Sequence, residues 1–410
     1  MNYVIIGNSA AAVGAVESIR SVDTAGDITL IAAEPHFTYS RPLISYLLAG
    51  RTDEQRMRYR PADFYEHHRV KTRLGETVTT IDAAAKVVRI GEEAVPYDRL
   101  LVATGSHPFI PPLAGLDTVP HAFTFGSLDD AHALESALFP TARVLILGAG
   151  LIGLKCAEGI AERVGSLTVV DMAPRILPSI LDEDGAALLQ AYLEQKGLCF
   201  RLENSVASLD GQTAVLRSGD TLEFDILVIA VGVRPNTELV QKAGGAVQRG
   251  IVTDDCCRTT LPDVYAAGDC AESHDITTDS DRVLALLPNA YAQGECAGIQ
   301  MAGGDKRYEN AIPMNAIGFF GKHLLTAGSY DGESHVVAKE NGVYKRLITR
   351  DNRLVGYILL GDIERAGIYT ALIRNRTPLD TLDFELIMEK PQLLAFSRAE
   401  RQRQLGGMDT

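Results

Sequence analysis

Two carboxylates, Glu34 and Asp171, carry the first chemistry legible in this chain. Each closes an apolar stretch, DITLIAAE or LTVVD. Each also stands one helix and one strand after a glycine-bearing turn: YVIIGNSAAAVGA before Glu34, RVLILGAGLIG before Asp171. A carboxylate so placed accepts hydrogen bonds from the hydroxyls of a ribose. The turn before it excludes side chains and lets the backbone approach a pyrophosphate, whose charge is favoured at a helix N-terminus. In the second unit Gly148, Gly150 and Gly153 complete the spacing. Asp171 is expected to repel a 2′-phosphate, so NADH is favoured over NADPH. The first unit is looser, keeping Gly7 but placing Ser9 and Ala12 where glycines are usual. One such fingerprint is weak; two, each with its own acid, predict two dinucleotides on one polypeptide.

The elements that must position these residues are strand–turn–helix units over Val4–Ile19 and Val144–Ala161. With 410 residues there is room for two or three domains, and 46% hydrophobic with 22% charged residues describes a globular chain with ample core. No run of 18 apolar residues occurs, so no membrane span is expected. The N-terminus enters strand YVIIG without a basic leader and apolar stretch, so no signal peptide is expected and a cytoplasmic location is. A net charge of −14 argues against nucleic acid as a partner.

The cysteines are Cys156, Cys199, Cys256, Cys257, Cys270 and Cys296, with no C-x-x-C or C-x4-C pair. Cluster ligands and redox-active disulfides need such spacing. Cys256 and Cys257 are read as two reduced thiols rather than a strained vicinal disulfide. With no Cys–His spacing either, no metal site is expected, and the chemistry is assigned to bound cofactors.

Three further segments bear on the class. YDRLLVATGSHPFIPP (Tyr97–Pro112) is a strand, a small-residue turn and a proline-rich crossover. FDILVIAVGVRPN (Phe224–Asn236) repeats that logic, and DVYAAGDCAE (Asp263–Glu272) sets an acid after a strand. In this order, over nearly the whole chain, the motifs resemble the two-dinucleotide flavoproteins of the pyridine nucleotide–disulfide oxidoreductase family. The resemblance implies an α/β fold of two Rossmann-like domains plus a small α+β C-terminal domain. The FAD domain (1–113 and 237–310) would be split by an inserted NAD domain (114–236), and the C-terminal domain (311–410) would cover the flavin and often form a dimer interface. A homodimer is thus one expectation.

Carried over residue by residue, the resemblance puts Gly7, with Ser9 and Ala12, at the FAD pyrophosphate and Glu34 at the adenosine ribose. Thr104–Gly105 would pack beside FAD, Asp269 would bond its ribityl or phosphate portion, and Arg41–Pro42 would lie by the flavin. Gly148, Gly150, Gly153 and Asp171 would hold NADH, with Gly232 beside the nicotinamide cleft. Relatives that reduce coenzyme A disulfide or peroxide carry a reactive cysteine where this chain reads TYSRPLIS; here there is none. Most relatives have glutamate at the position of Lys155. Lys155 is read either as a catalytic cation that stabilises anionic reduced flavin or as a helix-surface lysine paired with Glu158 or Glu162.

Within the family, YSRPLISYLLAG and YKRLITRDNRLVGYILLGD resemble the NADH–rubredoxin reductases and the flavoprotein part of NADH-dependent nitrite reductase. The second segment predicts a hairpin turning at Asp351–Asn352, a strand Leu354–Leu360 and a helix Ala366–Arg374. The tail from Phe384 predicts a helix broken before Pro391. The implied function is hydride transfer from NADH to FAD, then electron transfer to an external iron–sulfur or rubredoxin-like protein. Arg51–Arg73, with seven Lys/Arg against four Asp/Glu, offers a basic patch for an acidic carrier. The rival readings are an NADH oxidase reducing oxygen and a non-catalytic FAD/NADH-binding subunit.

Overall fold

The apolar run after Asn2 forms a strand, Asn2–Ile6, whose last four residues are buried. The computed structural model describes residues 1–397 and residue 401. Asn2–Ile6 pairs in parallel with Asp27–Ala32 on one side and Arg99–Val102 on the other. The five-stranded sheet runs Val264–Ala266, Arg99–Val102, Asn2–Ile6, Asp27–Ala32, Val70–Leu74. Its central strands are apolar without alternation, as strands covered on both faces require. A second five-stranded sheet repeats the plan around the other glycine strand: Leu198–Arg201, Ser166–Val170, Arg143–Leu147, Ile226–Ile229, Ala122–Thr124. All strands of that second sheet fall in sequence between Arg99–Val102 and Val264–Ala266 of the first. The split α/β architecture expected from the sequence is the one observed.

The chain divides into two units. The first takes Met1–Met172, Cys199–Asp275 and Ser280–Ala311; the second takes Ala173–Leu198, Ile276–Asp279 and the chain from Ile312. In the first unit, helix Ala10–Val22 lies against helix Leu287–Met301 at backbone contact distance. A Cβ at Gly294 would fall 1.9 Å from the Ala11 carbonyl oxygen, and one at Gly298 2.6 Å from that of Ala15. Small residues on both helices are what permit this approach. Arg60 secures it with bonds of 2.6 and 3.0 Å to Glu17, which also accepts from Tyr291 Oη at 2.6 Å.

The second unit holds an antiparallel sheet in the order Met314–Phe319, Lys322–Gly328, Arg353–Leu360, Val343–Arg350, Glu333–Glu340. Asp351 and Asn352 both take positive φ, +51° and +58°, the left-handed pair that a two-residue hairpin of this hand demands. Helix Ala366–Arg374 packs Tyr369, Leu372 and Ile373 into a core with Leu347, Tyr357 and Leu359. Helix Phe384–Glu389, capped by the Asp383 side chain, stops ahead of Pro391 as expected. The last part of the tail lies outside the described residues. Helix Glu183–Gln195 belongs to this unit: its cap Asp182 accepts from Tyr344 at 2.5 Å and from Arg346 at 2.7 Å.

Candidate functional site

Both glycine turns are built the same way. Gly7 has φ +116°, and a Cβ there would sit 2.0 Å from the carbonyl oxygen of Ala103. Gly148 has φ +109°, and its Cβ would sit 2.3 Å from that of Ala230. Ala103 and Ala230 each follow the strand that flanks the glycine strand, so any side chain would drive the turn out of its sheet. Ser9 and Gly150 are the extended N-caps of the two helices, and neither makes a side-chain cap bond. The N–H groups of each first turn are left to meet an anion. A Cβ at Gly153 would lie 2.0 Å from Gly148 O, whereas Ala12 in the first unit is buried and accommodated.

The acids are held near these turns by different means. Asp171 Oδ2 accepts the backbone N–H of Ala149 at 2.6 Å, which places its carboxylate on the second turn. Glu34 accepts from Tyr39 Oη at 2.7 Å and from Arg41. Arg41 also donates to Gly126 O at 3.0 Å and lies over the Tyr39 ring, with Pro42 beside it in a short helical turn. Burial depresses the Arg41 guanidinium, but Tyr39, Glu34 and Asp269 more than offset this and hold it above its ordinary value. Burial pushes the Asp269 carboxyl up, opposed by Arg41 and by Ser106, whose hydroxyl is 3.5 Å away. Thus Glu34, Arg41 and Asp269 form one electrostatic group.

Thr104 and Gly105 are tied to the end of the second sheet's return segment. Thr104 Oγ1 donates to Asn236 O and Asn236 Nδ2 donates to Thr104 O, both at 2.7 Å, while Asn236 N donates to Gly105 O at 2.9 Å. Beside them Ser106–Pro108 and Val233–Pro235 pair antiparallel, so the segments on either side of the inserted sheet form a two-stranded connection. Gly232, at φ +125°, accepts the Phe109 N–H through its carbonyl at 2.9 Å.

Lys155 pairs with Glu158, one turn on, and its ammonium stands 4.5 Å from the centre of the Tyr46 ring. Glu158 is 6% exposed and also lies 3.4 Å from Arg51. Tyr46 belongs to helix Ile44–Leu48, which continues the Arg41–Pro42 segment; a Cβ at Gly159 would meet Ser45 O at 2.7 Å. The second glycine helix is thereby packed against the segment expected beside the flavin.

Sequence reading missed Tyr39, Gly126 and Asn236 as partners of the site. Tyr39 and Asn236 stood inside segments already singled out, but their bonds span 5 and 132 residues of chain, and only the fold makes the latter. The basic stretch is also changed by the fold. Arg51, Arg56, Arg60 and Arg73 are each ion-paired, to Glu158, Asp53, Glu17 and Glu76. Arg51, Arg56, Arg58, Arg69 and Lys71 remain exposed, Arg58, Arg69 and Lys71 outside those ion pairs. All six cysteines are free thiols.

A family model described as pyridine nucleotide-disulphide oxidoreductase matches residues 1–294, and one described as rubredoxin NAD+ reductase C-terminal domain matches 313–377. The chain belongs to the pyridine nucleotide-disulphide oxidoreductase family and is an NAD(H)-dependent flavoprotein oxidoreductase, with FAD and NAD(H) as cofactors. It is 32% identical over 393 residues to the NADH-dependent phenylglyoxylate dehydrogenase subunit epsilon of Aromatoleum evansii, covering 93% of each chain. It is also 32% identical over 388 residues to the nitrite reductase [NAD(P)H] of Bacillus subtilis, covering 92% of this chain and 47% of that protein. The chain therefore spans about half the length of that nitrite reductase. Among solved structures, the covalent putidaredoxin reductase–putidaredoxin complex matches with a TM-score of 0.87 at 23% identity, over 99% of this chain and 98% of that one. The NADH:rubredoxin oxidoreductase of Clostridium acetobutylicum matches at 0.75 and 22%, over 92% and 96%. At these identities the structures establish the fold. The two glycine cradles and the paired acids fit the pyrophosphates and riboses of FAD and NAD(H). Among the described residues, no helix is long and apolar enough to cross a membrane.

Proposed function

We propose that this protein takes electrons from NADH onto FAD and passes them to a separate iron–sulfur or rubredoxin-like protein. The observation that carries this reading is the pair of matching cradles at Gly7 and Gly148 within one unit, beside a flavin-proximal segment, Tyr39–Tyr46, that contains no cysteine. Bound FAD supplies hydride acceptance from NADH and one-at-a-time electron release. The chain's own residues bind and orient. Gly7, Ser9 and Ala12 bring backbone N–H groups to the FAD pyrophosphate, and Glu34 offers its remaining lone pairs to the adenosine ribose. Arg41, Pro42, Thr104, Gly105 and Asp269 border the rest of FAD. Gly148, Gly150, Gly153 and Asp171 seat NADH, and Gly232 keeps the nicotinamide cleft clear of a side chain.

Residues 1–113 and 237–310 form the FAD domain in this reading, 114–236 the NAD domain and 311–410 the C-terminal domain. Lys155, held by Glu158 over Tyr46, contributes positive charge near the cofactor cleft. The exposed cations Arg56, Arg58, Arg69 and Lys71 would steer an acidic carrier. A cytoplasmic location and a homodimer belong to the same proposal. The names of relatives that act on rubredoxin-type carriers support the acceptor class. A second reading, as the NADH-oxidising subunit of a larger complex, draws on the 93% mutual coverage with the subunit epsilon relative. Steady-state NADH oxidation with an artificial one-electron acceptor, set against oxygen consumption, tests the proposal. Faster turnover with the acceptor is expected. Equal rates would favour an oxidase, and no turnover with either would favour a non-catalytic binding subunit.

A further inference from the structure

Three thiols gather where the turn Asp254–Arg258 meets helix Leu287–Met301. Cys257 Sγ lies 3.5 Å from the carbonyl oxygen of Gln293, one helical turn before Cys296. Cys296 Sγ in return lies 3.6 Å from Asp255 O on the turn and 3.2 Å from Lys306 O. Each sulfur is thus seated on the other's element, which brings the two thiols together. Cys256 is the third, accepting from Gln300 Nε2 at 3.3 Å. Cys257 holds the left-handed region at φ +60°, which turns its side chain from that of its neighbour toward the helix.

The two thiols are not equivalent. Interaction with the Cys257 thiol and the Lys306 ammonium holds Cys296 below the ordinary thiol value against the effect of burial, and the same interaction and burial push Cys257 well above it. Both thiols are buried, Cys296 fully and Cys257 at 3% exposure, so the lowered Cys296 supplies the thiolate once peroxide reaches the pair, and Cys257 is placed to resolve it.

We propose that Cys257 and Cys296 are a peroxide-responsive dithiol that closes to an intramolecular disulfide. The Cys296 thiolate attacks hydrogen peroxide. An S–O bond forms, the O–O bond breaks, and the leaving oxygen takes a proton to depart as water. Cys257 sulfur, losing its proton, then attacks the sulfenic sulfur; the S–S bond forms, the S–O bond breaks, and a second water leaves. Two thiols give up two electrons and one peroxide is reduced to two waters. The disulfide joins the turn Asp254–Arg258 to the helix that Gly294 and Gly298 lay against Ala10–Val22. It does not depend on the acceptor proposed above, because the oxidant is added directly.

The FAD-loaded protein is exposed to hydrogen peroxide, blocked with iodoacetamide, digested without reduction and mapped by mass spectrometry. A peptide pair joined between Cys257 and Cys296, from protein that stays one chain on a non-reducing gel and lost on adding dithiothreitol, is the expected result. Cys296→Ser should abolish that pair and leave Cys257 recoverable as alkylated thiol. Recovery of both cysteines as thiols, a Cys256–Cys257 bridge, or oxidation confined to exposed Cys199 would each overturn the proposal. The unmodified protein alone decides between these outcomes should the serine variant fail to fold.

Discussion

Replacing Asp171 by asparagine should compress the preference for NADH over NADPH by roughly 30- to 1,000-fold, at ~1.4 kcal/mol per tenfold. The side chain is half-buried, and its Oδ2 is fixed on the second glycine turn by the Ala149 N–H at 2.6 Å. Asparagine keeps the shape and an acceptor for that bond while deleting the charge. A hydrogen bond to a charged acceptor exceeds a neutral one by about 0.5–1 kcal/mol, so two ribose hydroxyls lose ~1–2 kcal/mol of NADH binding. A unit charge on a 2′-phosphate about 4 Å away would be repelled by roughly 4 kcal/mol at an effective dielectric near 20. Partial exposure and salt reduce that to ~1–2 kcal/mol, which the variant releases to NADPH. The two effects sum to ~2–4 kcal/mol. Anaerobic bleaching of the bound flavin, followed against the concentration of each nucleotide, reads both affinities. Parallel weakening of NADH and NADPH in the variant, or equal bleaching by the two in the unmodified protein, would refute the role given to Asp171.

The two cradles should fail separately. Gly148→Ala puts a methyl 2.3 Å from Ala230 O and should lower NADH affinity at least tenfold while FAD stays bound, whereas Gly7→Ala, at 2.0 Å from Ala103 O, should yield colourless protein; FAD content and NADH titration read the difference. Charge reversal at exposed Arg56 and Arg58 should slow electron transfer to an acidic protein carrier and flatten its salt dependence, leaving a small neutral acceptor unaffected; stopped-flow rates across ionic strength check this. Arg60→Glu should instead destabilise the fold by ~2–3 kcal/mol, because it loses charged hydrogen bonds to Glu17, and denaturant melts measure it. The Asp23 carboxyl is drawn down to about 2, first by the N–H groups of Ala25 and Gly26 and then by Tyr3. A depressed folded-state value means stability present above about pH 4 and lost as pH falls toward 2, so Asp23→Asn should flatten the acid limb of a thermal melt over that window.

Local pattern carried much of this. Gly7 and Gly148 were legible because a positive φ against a neighbouring carbonyl leaves only glycine, and Asp351–Asn352 because a two-residue hairpin demands two left-handed residues. The Lys155–Glu158 pair was one of two readings, reachable because residues three apart share a helix face. Contacts distant in sequence were not legible. Thr104 and Asn236 lock across the whole inserted sheet, and Arg60 reaches back 43 residues to Glu17, so a count of charges along Arg51–Arg73 overstated the cations left at the surface. Gly294 and Gly298 draw no notice in the sequence; only the close approach of helix Ala10–Val22 shows why side chains are excluded there. Nothing in local pattern joined helix Glu183–Gln195 to the sheet of residues 314–360, because Tyr344 and Arg346 meet Asp182 only in the folded chain.

The central claim is that electrons enter from NADH and leave to a protein carrier. Its most direct test reduces the FAD-loaded protein with one equivalent of NADH under argon, then mixes it with oxidised rubredoxin or a small iron–sulfur ferredoxin in one syringe and air-saturated buffer in another. Recovery of flavin absorbance at least tenfold faster with a protein carrier than with oxygen is the predicted result. Flavin that NADH fails to bleach, or that oxygen reoxidises faster than either carrier, would contradict it.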